Sequence, residues 1–406
     1  MGAGDTPVGI RRITDTPVAN LATCGEVINL VKFYFDPLRS FPIGQTREVI
    51  TPFDPVSFSR GPAMPNRFML APLTNQQSHD DGTLSAEEHR WLTMRAHGGF
   101  GMTMTAAAHV QEIGRAFPGQ LGICRDDQIP ALAKMADEIR STGSIAIVQL
   151  HHGGNRVPEA LNNMTPVCPS DDPETGARAL SNDEVQQLRD DFIAAAVRAE
   201  KAGYDGVQLH GAHGYIICQF LSSDINHRTD EYGGSLENRS RLLFEIIAGI
   251  RAQCADNFHL SVRLSPERFG MVMNEIIEVY GWLVDSGQVD FIDMSLWDSF
   301  KEPNEDEHKG RSLMEVFAEL PRGEVRLGVA GKIHEPADVQ RVLDAGVDIA
   351  ILGRVAILHH DYPNLLRNDE GFEPRHVPVS AQTLADEGLS DTFIKYMSTW
   401  KGFVSD

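Results

Sequence analysis

Short apolar runs alternate along most of this chain with longer segments whose apolar residues recur three and four positions apart. The short runs are rich in β-branched residues and predict buried strands, whereas the helical spacing predicts amphipathic helices. Eight strands are predicted, at residues 67–72, 100–107, 144–150, 206–210, 259–264, 291–295, 325–330 and 348–353. Helices are predicted near residues 86–97, 127–141, 182–202, 237–255, 273–286, 311–319 and 335–345.

The regular alternation of strands with helices predicts the fold class. A strand, a helix and a second strand form a parallel unit, and eight such units close into a (β/α)₈ TIM barrel of the α/β class. The competing doubly wound sheet would carry a Gly-x-Gly-x-x-Gly fingerprint after an early strand, and the sequence contains none.

Several stretches lie outside the repeat. Residues 1–50 form an N-terminal extension, residues 51–370 form the barrel, and residues 371–406 form a C-terminal extension. That last extension is expected to pack on the barrel exterior or on a partner subunit. Residues 152–181 form a long polar excursion after the third strand, which we expect to be a subdomain or lid over the barrel mouth. Residues 301–310 are charged and are expected to be a solvated surface loop.

Composition argues against several classes of function. The chain has 36 Lys and Arg against 57 Asp and Glu, for a formal net charge of −21, so its surface should repel nucleic acid and anionic membranes. Its five cysteines form no Cys-x-x-Cys pair, which disfavours iron–sulfur and dithiol-redox sites. No apolar stretch is long enough to span a membrane, and no secretory signal is visible at the N-terminus. We therefore expect a cytoplasmic protein that acts on small molecules, and homo-oligomerisation is compatible with the sequence.

Residues with catalytic chemistry follow the fourth predicted strand, where active sites of such barrels lie. His210 ends that strand, and His213 and Tyr215 follow it in the run His-Gly-Ala-His-Gly-Tyr. Imidazoles can hold an oxygen atom, and a Tyr phenol with a pKa near ~10 stays protonated at neutral pH and can donate a proton.

Residues at the other strand ends suit a flat, phosphorylated cofactor. Gln149 can donate and accept hydrogen bonds at once, as a heterocyclic edge requires. Arg263 and Arg354 are cations suited to phosphate or to an electron-rich ring, and glycines allow close backbone approach. The candidate cofactor-binding residues are Ala71, Pro72, Leu73, Thr74, Ala107, Gln149, His210, Arg263, Gly331, Gly353 and Arg354.

The stretch from His210 to Arg241 resembles the old yellow enzyme family of FMN-dependent ene-reductases. It contains His-Gly-Ala-His-Gly-Tyr, then Gln-Phe-Leu at 219–221, then Asn-His-Arg-Thr-Asp-Glu-Tyr-Gly-Gly-Ser-Leu-Glu-Asn-Arg at 226–239. The resemblance extends from Asn66 to about Pro363. It implies a barrel with non-covalently bound FMN and with NADPH or NADH as the hydride donor.

The resemblance also implies roles at the flavin. Residues 72–74 would lie against the flavin, with the Thr74 hydroxyl near its C4 carbonyl. Ala107 and Gln149 would contact the pyrimidine edge, and Arg263 would lie near the N1–C2 carbonyl. The FMN phosphate would be held by Gly331, Gly353 and Arg354.

The implied reaction reduces an activated alkene such as an α,β-unsaturated carbonyl compound. NAD(P)H would reduce the flavin, which would transfer hydride to the β-carbon. His210 and His213 would bind the substrate's carbonyl oxygen, and Tyr215 would protonate the α-carbon. The chain departs from common family patterns at Gln208, where Glu is usual, and at residues 223–225.

Two alternatives stay open at this point. One is a divalent-metal-dependent hydrolase or lyase that uses His210 and His213 as ligands, although the other strand ends lack the carboxylates such a site prefers, so no metal site is predicted. The other is a flavin-binding protein without catalysis. His151 and His152 follow the third strand and could equally touch the site or belong to a loop beside it.

Overall fold

The computed structural model describes residues 50–405, so the predicted N-terminal extension lies outside the described residues except for Ile50. Eight parallel strands close into a barrel in which each strand pairs with its neighbours in sequence and the first pairs with the last. The predicted (β/α)₈ barrel is therefore confirmed. The strands are β1 Phe68–Leu70, β2 Met102–His109, β3 Ile145–His151, β4 Gly206–Gly211, β5 His259–Leu264, β6 Phe291–Ser295, β7 Arg326–Ala330 and β8 Ile349–Leu352.

Helices surround the barrel, and two further helices form most of the regular structure of the C-terminal extension. The two longest begin at serine caps: Ser181 accepts from the Glu184 amide and Ser235 accepts from the Asn238 amide. Within residues 50–405, no helix is both long and apolar enough to cross a membrane. The helices are α1 Ala86–His97, α2 Ile129–Ser141, α3 Glu159–Asn162, α4 Asn182–Lys201, α5 Ile216–Leu221, α6 Leu236–Gln253, α7 Met273–Asp285, α8 Leu313–Ala318, α9 Pro336–Asp344, α10 Arg354–Leu358, α11 Tyr362–Asn368, α12 Ala381–Asp386 and α13 Asp391–Ser398.

Apolar and aromatic side chains fill the barrel interior near the amino ends of the strands. Phe291 begins β6, is fully buried, and its ring centroid lies 6.3 Å from that of Phe58. Gly328 on β7 makes room for this ring, because a Cβ there would lie 2.7 Å from it. The interior is packed at this end, so a ligand site is expected at the carboxyl ends of the strands.

The polar excursion after β3 lies against the barrel mouth. It contains α3 and two short paired strands, Val167–Cys168 and Arg178–Ala179. Its first turn is tied to α5, because the Asn155 amide donates to Gln219 Oε1 at 3.2 Å. The guanidinium of Arg156 lies 4.8 Å from the centre of the Tyr215 ring, so this segment reaches a candidate catalytic residue.

The C-terminal extension packs on the outside of the barrel. Phe393 of α13 makes an edge contact with Trp91 of α1, with ring centroids 5.4 Å apart. Nearer the barrel, the buried carboxylate of Glu387 lies 2.7 Å from His360 Nδ1 and also accepts from the Arg375 guanidinium. The extension is therefore held by apolar packing and by a polar network around Glu387.

This network predicts a pH dependence of stability. Burial raises the pKa of the Glu387 carboxyl, but hydrogen bonds from His360 and Arg375 outweigh it and bring the pKa down to about 2. A carboxyl with a lowered pKa stabilises the fold above its ordinary value near 4.5, and this contribution is lost as pH falls toward 2. Replacing Glu387 with Gln should therefore cost about 3 kcal/mol near pH 6.

Urea unfolding of the wild type and Glu387→Gln at a series of pH values measures this contribution. The difference between their free energies of unfolding should shrink steadily below pH 4.5, because a protonated Glu resembles Gln. A difference that stays constant from pH 6 to about pH 3 would show that the Glu387 pKa is not lowered.

Candidate active site

Closure of the barrel brings the predicted strand-end residues to one end of the molecule. Ala107 of β2 pairs in register with Gln149 of β3, and His210 of β4 pairs with Arg263 of β5. Gly353 directly follows β8, where a Cβ would lie no closer than 3.7 Å to another residue. Residues 71–74 follow β1, with Ala71 buried and the other three partly exposed. The site is thus built by residues distant in sequence.

Three histidines form a chain of close contacts across the barrel mouth. His210 Nδ1 lies 3.1 Å from His151 Nδ1, and His210 Nε2 lies 3.0 Å from His213 Nδ1. His213 Nε2 then lies 2.7 Å from the hydroxyl of Ser295, to which Arg263 also donates at 3.3 Å. Both ring nitrogens of His210 and of His213 are therefore engaged within the protein.

A left-handed turn directs the chain from β4 into α5. His213 has a φ of 60° and Gly214 a φ of 70°. Glycine is required at the second position for space as well, because a Cβ there would lie 3.0 Å from the Phe269 ring. Tyr215 is the N-cap residue of α5, so the turn places its side chain next to the histidines.

The Tyr215 ring lies in a cluster of aromatic and cationic groups. Its centroid is 4.3 Å from that of His151 and 5.0 Å from that of His210, and Arg156 packs over its face. Tyr396 of the C-terminal extension lies near enough to contribute a small part of the raised pKa of Tyr215. The phenol is thus held in place by packing, while among the described residues its hydroxyl makes no hydrogen bond to the protein.

Burial sets the protonation states of these side chains. It lowers the pKa of His151, His210 and His213 well below 6.5, with neighbouring imidazoles and arginines lowering it further. Burial also raises the pKa of Tyr215 above 10. At neutral pH the site therefore contains neutral imidazoles, each with one N–H donor, and a protonated phenol.

A buried polar layer lies beneath the histidines. Gln149 Nε2 donates to Gln208 Oε1 at 2.8 Å, and Gln208 Nε2 donates to Asp293 Oδ2 at 3.2 Å. Asp293 also lies 3.2 Å from Arg263 Nε, and both residues are buried. Burial raises the pKa of Asp293, and the Arg263 charge opposes that rise. Gln208, which stands where the family that the sequence resembles usually has Glu, thus links Gln149 through Asp293 to Arg263, the two predicted flavin-edge residues.

Sequence reasoning left the role of His151 open and missed Asp293 and Ser295. The structure puts His151 in contact with His210 and Tyr215 and puts the other two on β6, facing Arg263. The sequence of β6 held a signal for both residues. Every second residue of a strand lies on the same face, so Asp293 and Ser295 share the face of Phe291, which fills the barrel interior.

The donor set fits the flavin that the resemblance implies. Among the described residues, His151 Nε2 is buried and has no hydrogen-bond partner, so it can serve a ligand. Arg263 Nε forms no hydrogen bond of good geometry but faces Asp293 at 3.2 Å, which holds the guanidinium in the site. Thr74 is partly exposed at the end of β1. Ala107 and Ala71 are small and nearly buried, which leaves room for a flat ring above them.

The three predicted phosphate ligands differ in exposure. Gly353 is partly buried, and a Cβ there would make only ordinary van der Waals contact with Leu73 and Ala71. Arg354 is exposed and has no ion pair within residues 50–405. The Arg354 guanidinium lies 5.2 Å from the centre of the Trp400 ring, which orients it. Gly331 instead packs against the loop after β6, where a Cβ would lie 2.9 Å from the Asp298 amide. Its small size serves this contact between loops.

The geometry favours a flavin over a metal at the two histidines. Among the described residues, four groups of side chains could share a metal ion, and none of them includes His210 or His213. These groups are His109 with Glu112 and Cys124, His334 with Glu335 and His376, Glu305 with Glu307 and His308, and His360 with Asp361 and Glu387.

A cavity of about 290 Å³ adjoins His213 and opens between the loops after β5 and β6. Its walls include Lys301 and Asn304, which belong to the charged segment 301–310. Most of that segment is exposed, as expected of a solvated surface loop, but Lys301 is partly buried and Pro303 is buried. Lys301 turns inward because its ammonium lies 2.7 Å from the buried carboxylate of Glu267.

Comparison with known proteins gives consistent matches to flavin-dependent oxidoreductases. Residues 52–369 match the model of the NADH:flavin oxidoreductase / NADH oxidase family. A probable NADH-dependent flavin oxidoreductase of Bacillus subtilis is 36% identical over 313 residues, covering 74% of this chain and 84% of that protein. An NADPH dehydrogenase of Bacillus cytotoxicus is 31% identical over 314 residues, covering 76% of this chain and 90% of that protein. The old yellow enzyme homologue from Zymomonas mobilis superposes with a TM-score of 0.72 at 28% identity, covering 84% of this chain and 99% of that one.

Proposed function

Because the chain belongs to the NADH:flavin oxidoreductase / NADH oxidase family, we propose that it is an FMN-dependent ene-reductase that acts on activated alkenes. It is a flavin oxidoreductase with FMN as cofactor and NADH or NADPH as electron donor. The observation that carries the finer proposal is the cluster of His210, His213 and Tyr215 at the mouth of the barrel.

In this proposal His210 and His213 bind the carbonyl oxygen of the substrate. Both are neutral, so each offers one N–H donor without placing a full charge beside the ligand. Their mutual hydrogen bond of 3.0 Å must be exchanged for hydrogen bonds to the substrate oxygen. Donors fixed by packing stabilise the negative charge that develops on this oxygen as hydride arrives.

Tyr215 is the proposed proton donor to the α-carbon. Its raised pKa keeps the phenol protonated, and its hydroxyl is free of protein partners among the described residues. Arg156 lies over the ring face and can stabilise the phenolate that remains after transfer. One hydride and one proton then convert the C=C bond into a saturated CH–CH unit.

The proposed cofactor contacts are the strand-end residues. Bound FMN supplies the hydride, which originates from NAD(P)H and ends on the β-carbon. Arg263 would place its positive charge near the N1–C2 edge, and Asp293 would fix the orientation of that guanidinium. Gln149 and Thr74 would hold the remaining ring edge, and Arg354 with Gly353 would hold the phosphate.

Anaerobic turnover with a panel of enones, maleimides and nitroalkenes tests this function. The proposal expects NADH or NADPH to be oxidised in step with formation of the saturated product, one molecule for one. If NAD(P)H is consumed only when oxygen is present and hydrogen peroxide is the product, the protein is a flavin oxidoreductase but not an ene-reductase. Cytoplasmic location and homo-oligomerisation stay predictions.

A further inference from the structure

The cavity beside His213 has the size and position of a second binding subsite. Its volume is about 290 Å³, near the lower end of the range of roughly 300–1,000 Å³ for ligand pockets. His213 and Ser295 line the cavity on the side of the catalytic cluster, and Arg268, Phe269 and Trp297 line a second part of it, called here the outer wall. A small substrate could therefore contact the catalytic histidine and this outer wall at once.

The outer wall is built from strained backbone. Arg268, Phe269 and Gly270 occupy the left-handed region in succession, with φ of 68°, 55° and 72°, and Trp297 has a φ of 63°. Each non-glycine residue there costs about 1–2 kcal/mol, and such strain concentrates at ligand-binding positions. The turn is closed by a 2.9 Å hydrogen bond from the Met271 amide to the Arg268 carbonyl.

This strained turn holds the Arg268 guanidinium against an aromatic face. The guanidinium carbon lies 4.4 Å from the centre of the Trp297 ring, and the indole itself is 61% exposed. A guanidinium stacked in this way keeps its N–H edge available and can grip a carboxylate with two parallel hydrogen bonds.

The charges around the cavity do not cancel. Glu267 is the acidic residue in the pocket lining. Its carboxylate is paired with the Lys301 ammonium at 2.7 Å and also accepts a hydrogen bond from the Asn304 backbone amide. Arg268 has no ion pair within residues 50–405. The pocket therefore carries one uncompensated positive charge in a chain whose formal net charge is −21, which favours an anion at this place over the rest of the surface.

We propose that this pocket is an anion subsite that binds a carboxylate of the alkene substrate, with Arg268 as its main ligand and Trp297 as the platform beneath it. The preferred substrates are then activated alkenes whose carbonyl oxygen reaches His213 while a carboxylate a few bonds away reaches Arg268. This inference rests on the proposed function and names the substrate class of that same site. The phosphates of NAD(P)H are also anions that Arg268 could bind. The test below distinguishes binding of a nucleotide phosphate from binding of a substrate carboxylate.

The test measures binding to the FMN-loaded protein by titration calorimetry at low salt. The probes are 4-oxopentanoate, which carries a ketone and a carboxylate, and its methyl ester, which lacks the charge; neither contains a reducible C=C bond. The wild type should bind the acid about ten-fold more tightly than the ester, because a charge-assisted hydrogen bond contributes that order of free energy. Added salt should weaken binding of the acid alone.

Three variants test whether Arg268 causes the preference for the acid over the ester. Arg268→Gln should lose the preference for the acid and keep the affinity for the ester, and Arg268→Lys should restore part of the preference. Arg90→Gln is the matched control, because Arg90 is an exposed arginine on α1, which lies on the other side of the barrel from β5 and β6. It should behave as the wild type.

Two results would overturn the proposal. If Arg268→Gln keeps the same preference for the acid over the ester as Arg90→Gln and the wild type, the pocket is not an anion subsite. If Arg268→Gln instead weakens NADH or NADPH and leaves the keto acid unaffected, the anion is a nucleotide phosphate. Failure of the alkene-reduction assay would remove the ene-reductase proposal, whereas the calorimetric result would still report on the subsite.

Discussion

Replacing Tyr215 with Phe is expected to slow reoxidation of the reduced enzyme by an activated alkene by about 10²–10⁴-fold, the usual contribution of a positioned general acid. Phe keeps the ring contacts with His151 and Arg156 and removes only the hydroxyl. Reduction of the enzyme by NAD(P)H should be nearly unchanged, because that step needs no proton from Tyr215. Anaerobic stopped-flow absorbance of the two half-reactions measures both rates.

The matched control for this experiment is Tyr396→Phe. Tyr396 is a partly exposed phenol of the C-terminal extension that lies near Tyr215 and makes no contact with the three histidines. It should leave both half-reactions within about two-fold of the wild type, as surface substitutions usually do. Equal losses in both half-reactions of Tyr215→Phe, or a comparable loss in Tyr396→Phe, would contradict the assignment of Tyr215 as proton donor.

Replacing His210 with Ala is expected to slow the alkene half-reaction by about 10²–10³-fold, as loss of one oxyanion donor does in other enzymes. The substitution removes a donor and interrupts the contacts that link His151, His213 and Ser295. His210→Asn retains an N–H donor and should recover part of the rate. The same stopped-flow experiment compares the variants.

The pH profile of the wild type provides an independent check on these imidazoles. Because burial lowers the pKa of His210 and His213 well below 6.5, they stay neutral as pH falls from 8 to 6, and the rate should be flat over this range. A rate that changes with a midpoint near 6.5 in the wild type and not in His210→Asn would show that His210 titrates at its ordinary value.

The barrel could be predicted from the sequence because its strands are buried on both faces and are therefore continuous apolar runs. All eight strands lie where they were predicted, with end shifts of at most two residues. Both ends of β2 shift by two, from the predicted 100–107 to Met102–His109, and an irregularity in its pairing lies between Met104 and Ala107. Short helices such as α12 were not predicted, because six residues hold too little periodicity to be recognised.

The site divides into a local part and a long-range part. His210, His213 and Tyr215 lie within six residues of one another, so their grouping is visible in the sequence. The contact of His151 with His210 spans 59 residues and that of His213 with Ser295 spans 82, so both depend on strand register across the barrel. The Arg268–Trp297 stack depends in addition on left-handed backbone at two non-glycine residues, which residue type does not predict.

A single anaerobic turnover in D₂O tests the central claim most directly. Enzyme reduced beforehand with one equivalent of NADH is mixed with 2-cyclohexenone, the flavin absorbance is followed, and the product is examined by mass spectrometry and NMR. The account predicts that the flavin absorbance returns and that cyclohexanone forms with deuterium on its α-carbon. A flavin that stays bleached, or a saturated product without deuterium at that carbon, would contradict it.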